Sequence, residues 1–320
     1  MVQVARDSPG VHCAAPPISP AVRRVEQGQK RNRMRLIEVN HARSRNRIPL
    51  TVPAVVHVRR SYADSRLGQL HIITAYPSGG GFDERTPLLC IHHAAGSGRW
   101  FGPMLRELGR ERSIYAPDLP GHGQSDASNG KATVTELAAA LGDFLDGLRL
   151  RQVDVLGYQL GALVAGELAI ARPQQVRRVL MWGLPAQSPQ DRGSLAQGSV
   201  SFTREDGSDV ADAWRRAVDS RVEPMSMQAV ADEFADRLRA GAQGAAATSA
   251  LIEYPLTQRF PLVKQQTLIL RPRDEFWDHA PRARTLLPHS SVIDVPEHGR
   301  NWMAAAPQRF AAIAQEFLDR

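Results

Sequence analysis

The residues best suited to chemistry gather in a few short motifs. The stretch VDVLGYQLGALVAGELA, residues 153–169, has the pattern of a buried strand, a sharp turn flanked by Gly157 and Gly161, and an apolar helix. Gln159 stands at the tip of the turn. Its primary amide donates and accepts hydrogen bonds, but its oxygen is a poor nucleophile and its nitrogen lone pair is delocalised into the carbonyl. The N–H of Leu160 opens the helix, a place where a backbone donor polarises a carbonyl or holds an anion. His92 and His93 end the apolar run PLLCIHH, residues 87–93. An imidazole with an ordinary pKa of about 6.5 can serve as a general base toward water. That makes His93 a candidate base, with a packed loop histidine as the plainer alternative. His92 is expected to orient the loop, and His122, in a glycine-flanked turn, to be structural. The histidines lack metal-ligand spacing and no carboxylate cluster accompanies them, so no metal or other cofactor is expected. GSGRWF, residues 96–101, lacks the Lys-Ser/Thr of a phosphate loop.

These groups need a scaffold, and the hydrophobic pattern describes one. TVPAVVHVRR and GQLHIITAYP read as a pair of strands opening a sheet, and PLLCIHH as a buried central strand. RWFGPMLRELGR reads as a short helix, SIYAPDLPGHGQSD as a strand and a turn-rich loop. Residues 132–149 place Leu137, Leu141, Phe144, Leu145 and Leu148 on one helical face. VRRVLMWGLP, QTLILRPRD and SSVIDVPEHG are further strands, and MAAAPQRFAAIAQEFLDR closes as a helix. Strands alternating with helices predict a mostly parallel, doubly wound α/β sheet. Residues 188–256 break the rhythm with polar loop and two or three helices, among them DVADAWRRAVDS and SMQAVADEFADRLRA.

Five of these stretches, in order, resemble the α/β-hydrolase family over about residues 60–320. IHHAAGSGRWF is similar to its oxyanion loop, and DLPGHGQSD to the loop after the following strand. LGYQLGALVA is similar to its Gly-x-Ser-x-Gly elbow. LILRPRDEFW and VPEHGRNWMAAAP are similar to the strand bearing its acid and to the Gly-His loop before its last helix. The resemblance implies an α/β-hydrolase core over 49–187 and 257–320, with 188–256 as a helical cap. It puts Gln159 at the nucleophile position and Asp274 at the acid position. Gly299 and Pro307 keep the loop spacing, which puts Arg300 at the histidine position; His298 lies two residues earlier and is expected to point elsewhere. Arginine stays protonated and cannot act as a general base. Asp274 is expected to pair bidentately with Arg300, with Gln159 hydrogen-bonded to either. The N–H groups of Leu160 and of His93 or Ala94 are expected to keep an oxyanion corner. Trp100, Phe101, Tyr158, Trp277 and Trp302 are expected around a mostly apolar cavity for a small-molecule ligand.

Charge and cysteine content bound the remaining classes. The chain has 320 residues and a net charge of +7. Residues 1–48 carry ten Lys/Arg and three acidic residues, which leaves the rest of the chain neutral. The folded body is therefore not expected to bind nucleic acid, and 1–48 reads as a basic, disordered extension whose first 33 residues precede a second candidate start at Met34. Cys13 and Cys90 make no disulfide framework, and Cys90 reads as a core thiol. No apolar run approaches the roughly 20 residues of a membrane span and no secretory apolar region opens the chain, so a cytoplasmic location is expected. Three functions stay open. One is a binder of a small apolar carbonyl ligand, with chemistry that bypasses an acyl-enzyme. The others are a hydrolase using water activated by His93 or His298, and an inactive interaction protein.

Overall fold

In a computed structural model of the chain, residues 55–79, 84–127, 130–185, 204–221 and 223–320 are described. Eight strands form one sheet in the order β1-β2-β4-β3-β5-β6-β7-β8. β1 (Val56–Ser65) and β2 (Gly68–Pro77) form the expected antiparallel opening pair, and β2 also runs antiparallel to β4 (Arg112–Pro117). From β3 (Arg85–Ile91) onward the pairing is parallel, through β5 (Val153–Tyr158), β6 (Val176–Trp182), β7 (Gln266–Pro272) and β8 (Ser290–Val295). A central parallel strand is covered on both faces and so needs apolar residues on both. Leu88, Leu89, Cys90 and Ile91 of β3, all buried, meet that need, and Cys90 is the core thiol anticipated.

Helices cover the two faces. α1 (Gly102–Leu108) follows a short 3-10 turn, and α2 (Val134–Gly147) begins at a Thr133–Glu136 capping box. α3 (Leu160–Ala171) follows the Gln159 turn and is buried on every side from Leu160 to Ala169, as a helix wedged between a sheet and other helices must be. Between β6 and β7 the described chain is helical: α4 (Ser208–Asp219), α5 (Met227–Glu253, kinked at Gly241) and α6 (Leu256–Arg259). The far end of this insertion is fastened to α3. Glu167, fully buried, accepts the Tyr254 hydroxyl at 2.7 Å and Arg259 at 2.5 and 3.0 Å. Such a pairing satisfies a carboxylate that could not be buried alone. α7 (Ala280–Leu286), α8 (Trp302–Ala305) and α9 (Pro307–Leu318) complete the chain. The basic extension 1–48 and the start of the expected cap, 188–203, lie outside the described residues. No described helix is long and apolar enough to cross a membrane.

Candidate functional site

β3, β5, β7 and β8 run parallel, and candidate groups follow the carboxyl end of each: His92 and His93, Gln159, Asp274, and His298 with Arg300. At the end of β5 the chain turns abruptly into α3. Two glycines make the turn physically feasible. A Cβ on Gly161 would sit 2.0 Å from the Ile91 carbonyl oxygen, and one on Gly157 would sit 2.2 Å from that of Gly161. Gln159 occupies the tip at φ 53°, ψ −112°, a region that side-chain-bearing residues rarely adopt. Its N–H donates to the Trp182 carbonyl at 3.0 Å, which pins the tip to β6. Among the described residues, no hydrogen bond reaches the Gln159 side chain. The N–H of Leu160 lies ahead of the first bonds of α3, which start at Ala162 N–H to the Gln159 carbonyl, 3.0 Å.

The loop after β3 carries the histidines. His92 is held at both ring nitrogens: Nε2 accepts the Leu119 N–H at 2.8 Å, so Nδ1–H donates to the His93 carbonyl at 2.7 Å. It therefore shapes the loop. His93 follows, T-stacked against Trp100 and Tyr158 at 5.5 and 5.4 Å between centroids, with a buried Nδ1 that has no hydrogen-bond partner among the described residues. Burial, then His92, Arg300, Arg237 and His122, hold its pKa well below the ordinary imidazole value. That ring stays neutral and is a weak proton acceptor. Ala94 follows it in the same loop, half-buried.

Asp274 sits just beyond β7. Its Oδ2 accepts the Trp182 indole N–H at 3.0 Å and its Oδ1 the Phe276 N–H at 2.9 Å, and burial pushes its pKa up to about 6. The expected bidentate pair with Arg300 is not formed. Trp182, at the end of the neighbouring strand, captures one carboxylate oxygen, and Arg300 instead approaches Glu233 of α5 at 3.8 Å. Burial works against the Arg300 charge, but Tyr158, Glu275, Glu233 and Asp274 together push its pKa up. His298 lies apart, stacked flat on Trp302 at 5.3 Å and 4.0 Å from Glu297.

A cavity of about 340 Å³ lies between this loop and the insertion. Its wall combines His93, Trp100 and Pro103 from the core, Met225, Ala229 and Glu233 from the insertion, Arg300 from the last loop and Met303 from α8. Of the five aromatic residues expected around it, Trp100 alone lines it. Phe101, Tyr158 and Trp302 are buried in the core beneath, where Trp100 stacks on Tyr158 at 4.4 Å and Trp182 joins Tyr158 to Trp302. Trp277 lies under the Arg271 guanidinium at 3.8 Å. These rings are the larger apolar bodies near the sheet, and core packing claims them before the cavity does. The wall is correspondingly more charged than a purely apolar pocket. Glu233, Asp236 and Ser97 were not singled out in the sequence. Glu233 sits at helical spacing with Asp236 and Arg237, a pattern that normally marks a solvated face. Asp236 is nonetheless 5% exposed, and it accepts Ser97 Oγ at 2.5 Å and Arg99 at 3.0 Å.

The buried titratable groups set a pH dependence with opposing parts. Burial, then His92, lowers the His122 pKa to about 4. A depressed histidine contributes stability that is present above its unfolded value, about 6.5, and is lost as pH falls toward the folded value. Asp274, raised to about 6, acts in the opposite sense: its contribution is present at low pH and is lost as pH rises from about 4 to 6. Urea unfolding at pH 7 and pH 5 should therefore show a smaller acid loss in His122→Asn than in wild type, and a larger one in Asp274→Asn. The reverse order would contradict these environments.

Comparison with known proteins agrees with this architecture. The family model described as "Alpha/beta hydrolase family" matches residues 88–313. A 2-hydroxymuconate semialdehyde hydrolase of Pseudomonas sp. (strain CF600) is 33% identical over 115 residues, 34% of this chain and 38% of that one. An uncharacterized protein of Mycobacterium tuberculosis is 32% identical over 94 residues, 29% of this chain and 28% of that one. The chain thus spans about a third of the length of the curated relatives it matches. The crystal structure of a hydrolase from Pseudomonas aeruginosa superposes with a TM-score of 0.68 at 20% identity, covering 82% of this chain and 99% of that one. With its eight-stranded sheet and the matched model spanning most of its length, the chain belongs to the alpha/beta hydrolase family.

Proposed function

We propose that the protein binds a small carbonyl-containing molecule with an apolar body, and that its chemistry does not pass through an ester on the elbow residue. The observation that carries this reading is Gln159 itself. The tip of the elbow holds φ 53°, ψ −112° with an amide where an attacking hydroxyl would stand. Backbone strain of this kind costs about 1–3 kcal/mol and persists where the surroundings over-determine it, often at functional sites. Gln159 is half-buried and no hydrogen bond reaches its side chain among the described residues, which leaves its amide available to a ligand even though it is not part of the wall of the cavity described above. On this reading the triad is degenerate, with Arg300 in place of the base. Trp100, Met225 and Met303 supply apolar wall to the cavity, whose size falls at the small end of ligand sites. The low basicity of His93, and the position of His298 against Trp302, favour this reading over water activation by either histidine.

The test is Gln159→Gly. Glycine adopts the tip conformation without strain, so stability in urea should rise by about 1–2 kcal/mol. Binding of simple aryl ketones, read by calorimetry, should weaken at least about tenfold with the loss of the amide. A stabilised variant that binds as tightly as wild type would remove Gln159 from the site. Wild-type turnover of short-chain aryl esters with an initial burst would overturn the proposal outright.

A further inference from the structure

The cavity wall carries three carboxylates, Asp232, Glu233 and Asp236, and two guanidiniums, Arg99 and Arg300. Three of these five groups find partners inside the protein. Asp236 accepts Ser97 Oγ and Arg99, and Asp232 accepts Gln228 Nε2 at 3.0 Å. Glu233 and Arg300 are left over. Nη2 of Arg300 lies 3.8 Å from Oε2 of Glu233, beyond hydrogen-bond length. Among the described residues no hydrogen bond reaches either side chain. Both are partly buried, so bulk water makes up only part of what is missing. The lone pairs of a carboxylate and the N–H donors of a guanidinium thus stand side by side in one wall.

The balance of charge selects against an ionic ligand. Arg237 joins the pair in the wall of a smaller cavity that Glu233 and Arg300 also line. An anion at Arg300 would meet Glu233 and the fields of Glu275 and Asp274. A cation at Glu233 would meet the fields of Arg300 and Arg237. A neutral ligand meets neither repulsion.

The spacing narrows the neutral group further. In a cis amide the carbonyl oxygen and the N–H nitrogen share one edge, about 2.3 Å apart. A donor and an acceptor 3.8 Å apart can each reach one of those atoms at about 2.9 Å, with the two bonds splayed only slightly. A ketone or ester occupies Arg300 alone and leaves Glu233 desolvated and unpaired, which costs affinity. We infer that the cavity recognises a neutral lactam, cyclic imide or urea, whose carbonyl oxygen accepts from Arg300 while the adjacent N–H donates to Glu233. Trp100, Met225 and Met303 supply the apolar wall for its ring. The inference rests on the proposed carbonyl ligand and names its class; it makes no use of Gln159.

The experiment is calorimetric binding of oxindole, N-methyloxindole and 2-indanone to the full chain. The three share one bicyclic shape and one carbonyl, and oxindole alone adds the N–H. Wild type should bind oxindole at least about tenfold more tightly than either of the others. Glu233→Met, which removes the acceptor at similar length, should bring oxindole to within about twofold of 2-indanone and leave 2-indanone unchanged. Glu233→Gln keeps an acceptor oxygen and should retain part of the preference. Arg300→Met should weaken all three probes. The wild-type ratio does not depend on any variant folding. Oxindole bound no more tightly than the other two, or a preference unchanged in Glu233→Met, would overturn the paired recognition and leave a carbonyl-binding cavity standing. Absence of binding by all three would overturn the carbonyl ligand, and this inference with it.

Discussion

Gly161→Ala should cost the protein its fold or most of its stability. The added Cβ would lie 2.0 Å from the Ile91 carbonyl oxygen, 2.6 Å from its carbon and 2.8 Å from the His92 carbonyl oxygen. All three are backbone atoms of the central strand and the loop after it, so no side chain can swing away. Relief requires moving α3 off the sheet, and α3 is buried along nearly its whole length. Core overpacking usually costs about 1–3 kcal/mol, and rigid backbone on the receiving side puts this case above about 4 kcal/mol. For a domain of this size the melting temperature should fall by at least about 10 °C. Gly102→Ala is the control, because nothing lies within 4 Å of its added Cβ at the start of α1. Differential scanning calorimetry of the two variants decides the matter. A Gly161→Ala protein within about 1 kcal/mol of wild type would mean that the elbow does not pack as described.

The second large effect is a gain. Gln159→Ser together with Arg300→His should hydrolyse short-chain aryl esters at least about a hundredfold faster than either single variant. A serine at 159 alone has no base to deprotonate it, because Arg300 remains charged in its surroundings of Tyr158, Glu275, Glu233 and Asp274. A histidine at 300 alone has no nucleophile to serve. Together they supply both, and Asp274, whose oxygens already accept from Trp182 and Phe276, keeps lone pairs with which to orient the imidazole through its N–H. A histidine base works in its neutral form, so the double variant should gain rate as pH rises through the imidazole's range, about 6 to 8. Stopped-flow release of the aryl alcohol reads the burst and the turnover together. Strong turnover in Gln159→Ser alone would show that another group serves as base, and that Arg300 does not stand in the histidine's place.

Much of this was legible in the residues themselves, for local reasons. A strand buried on both faces must be apolar throughout, so Leu88–Ile91 and Val153–Tyr158 announce central strands without knowledge of their neighbours. Strands alternating with helices leave few topologies, and the parallel order from β3 to β8 is one of them. Gly157 and Gly161 mark a turn too tight for side chains. The chemistry of the candidate groups is also local: an amide does not become a nucleophile, nor a guanidinium a base, in any fold.

Only the tertiary structure decided which groups meet. Asp274 lies close to Arg300 in the expected arrangement, yet it spends its oxygens on Trp182 and Phe276, because the indole N–H from the next strand is nearer and fixed. Arg300 turns instead to Glu233, a residue 67 positions away on an inserted helix whose docking no local pattern specifies. The aromatic residues beside the motifs pointed to a cavity; packing placed Phe101, Tyr158 and Trp302 below its floor. Glu233 and Asp236 read in sequence as part of an ordinary charged helix face, and they became a cavity wall when α5 was laid across the loop after β3. Secondary structure follows from spacing along the chain, because backbone hydrogen bonding and side-chain periodicity are short-ranged. The partners of a charged side chain are chosen across the fold, where burial and distance set the energy and neither can be read along the chain.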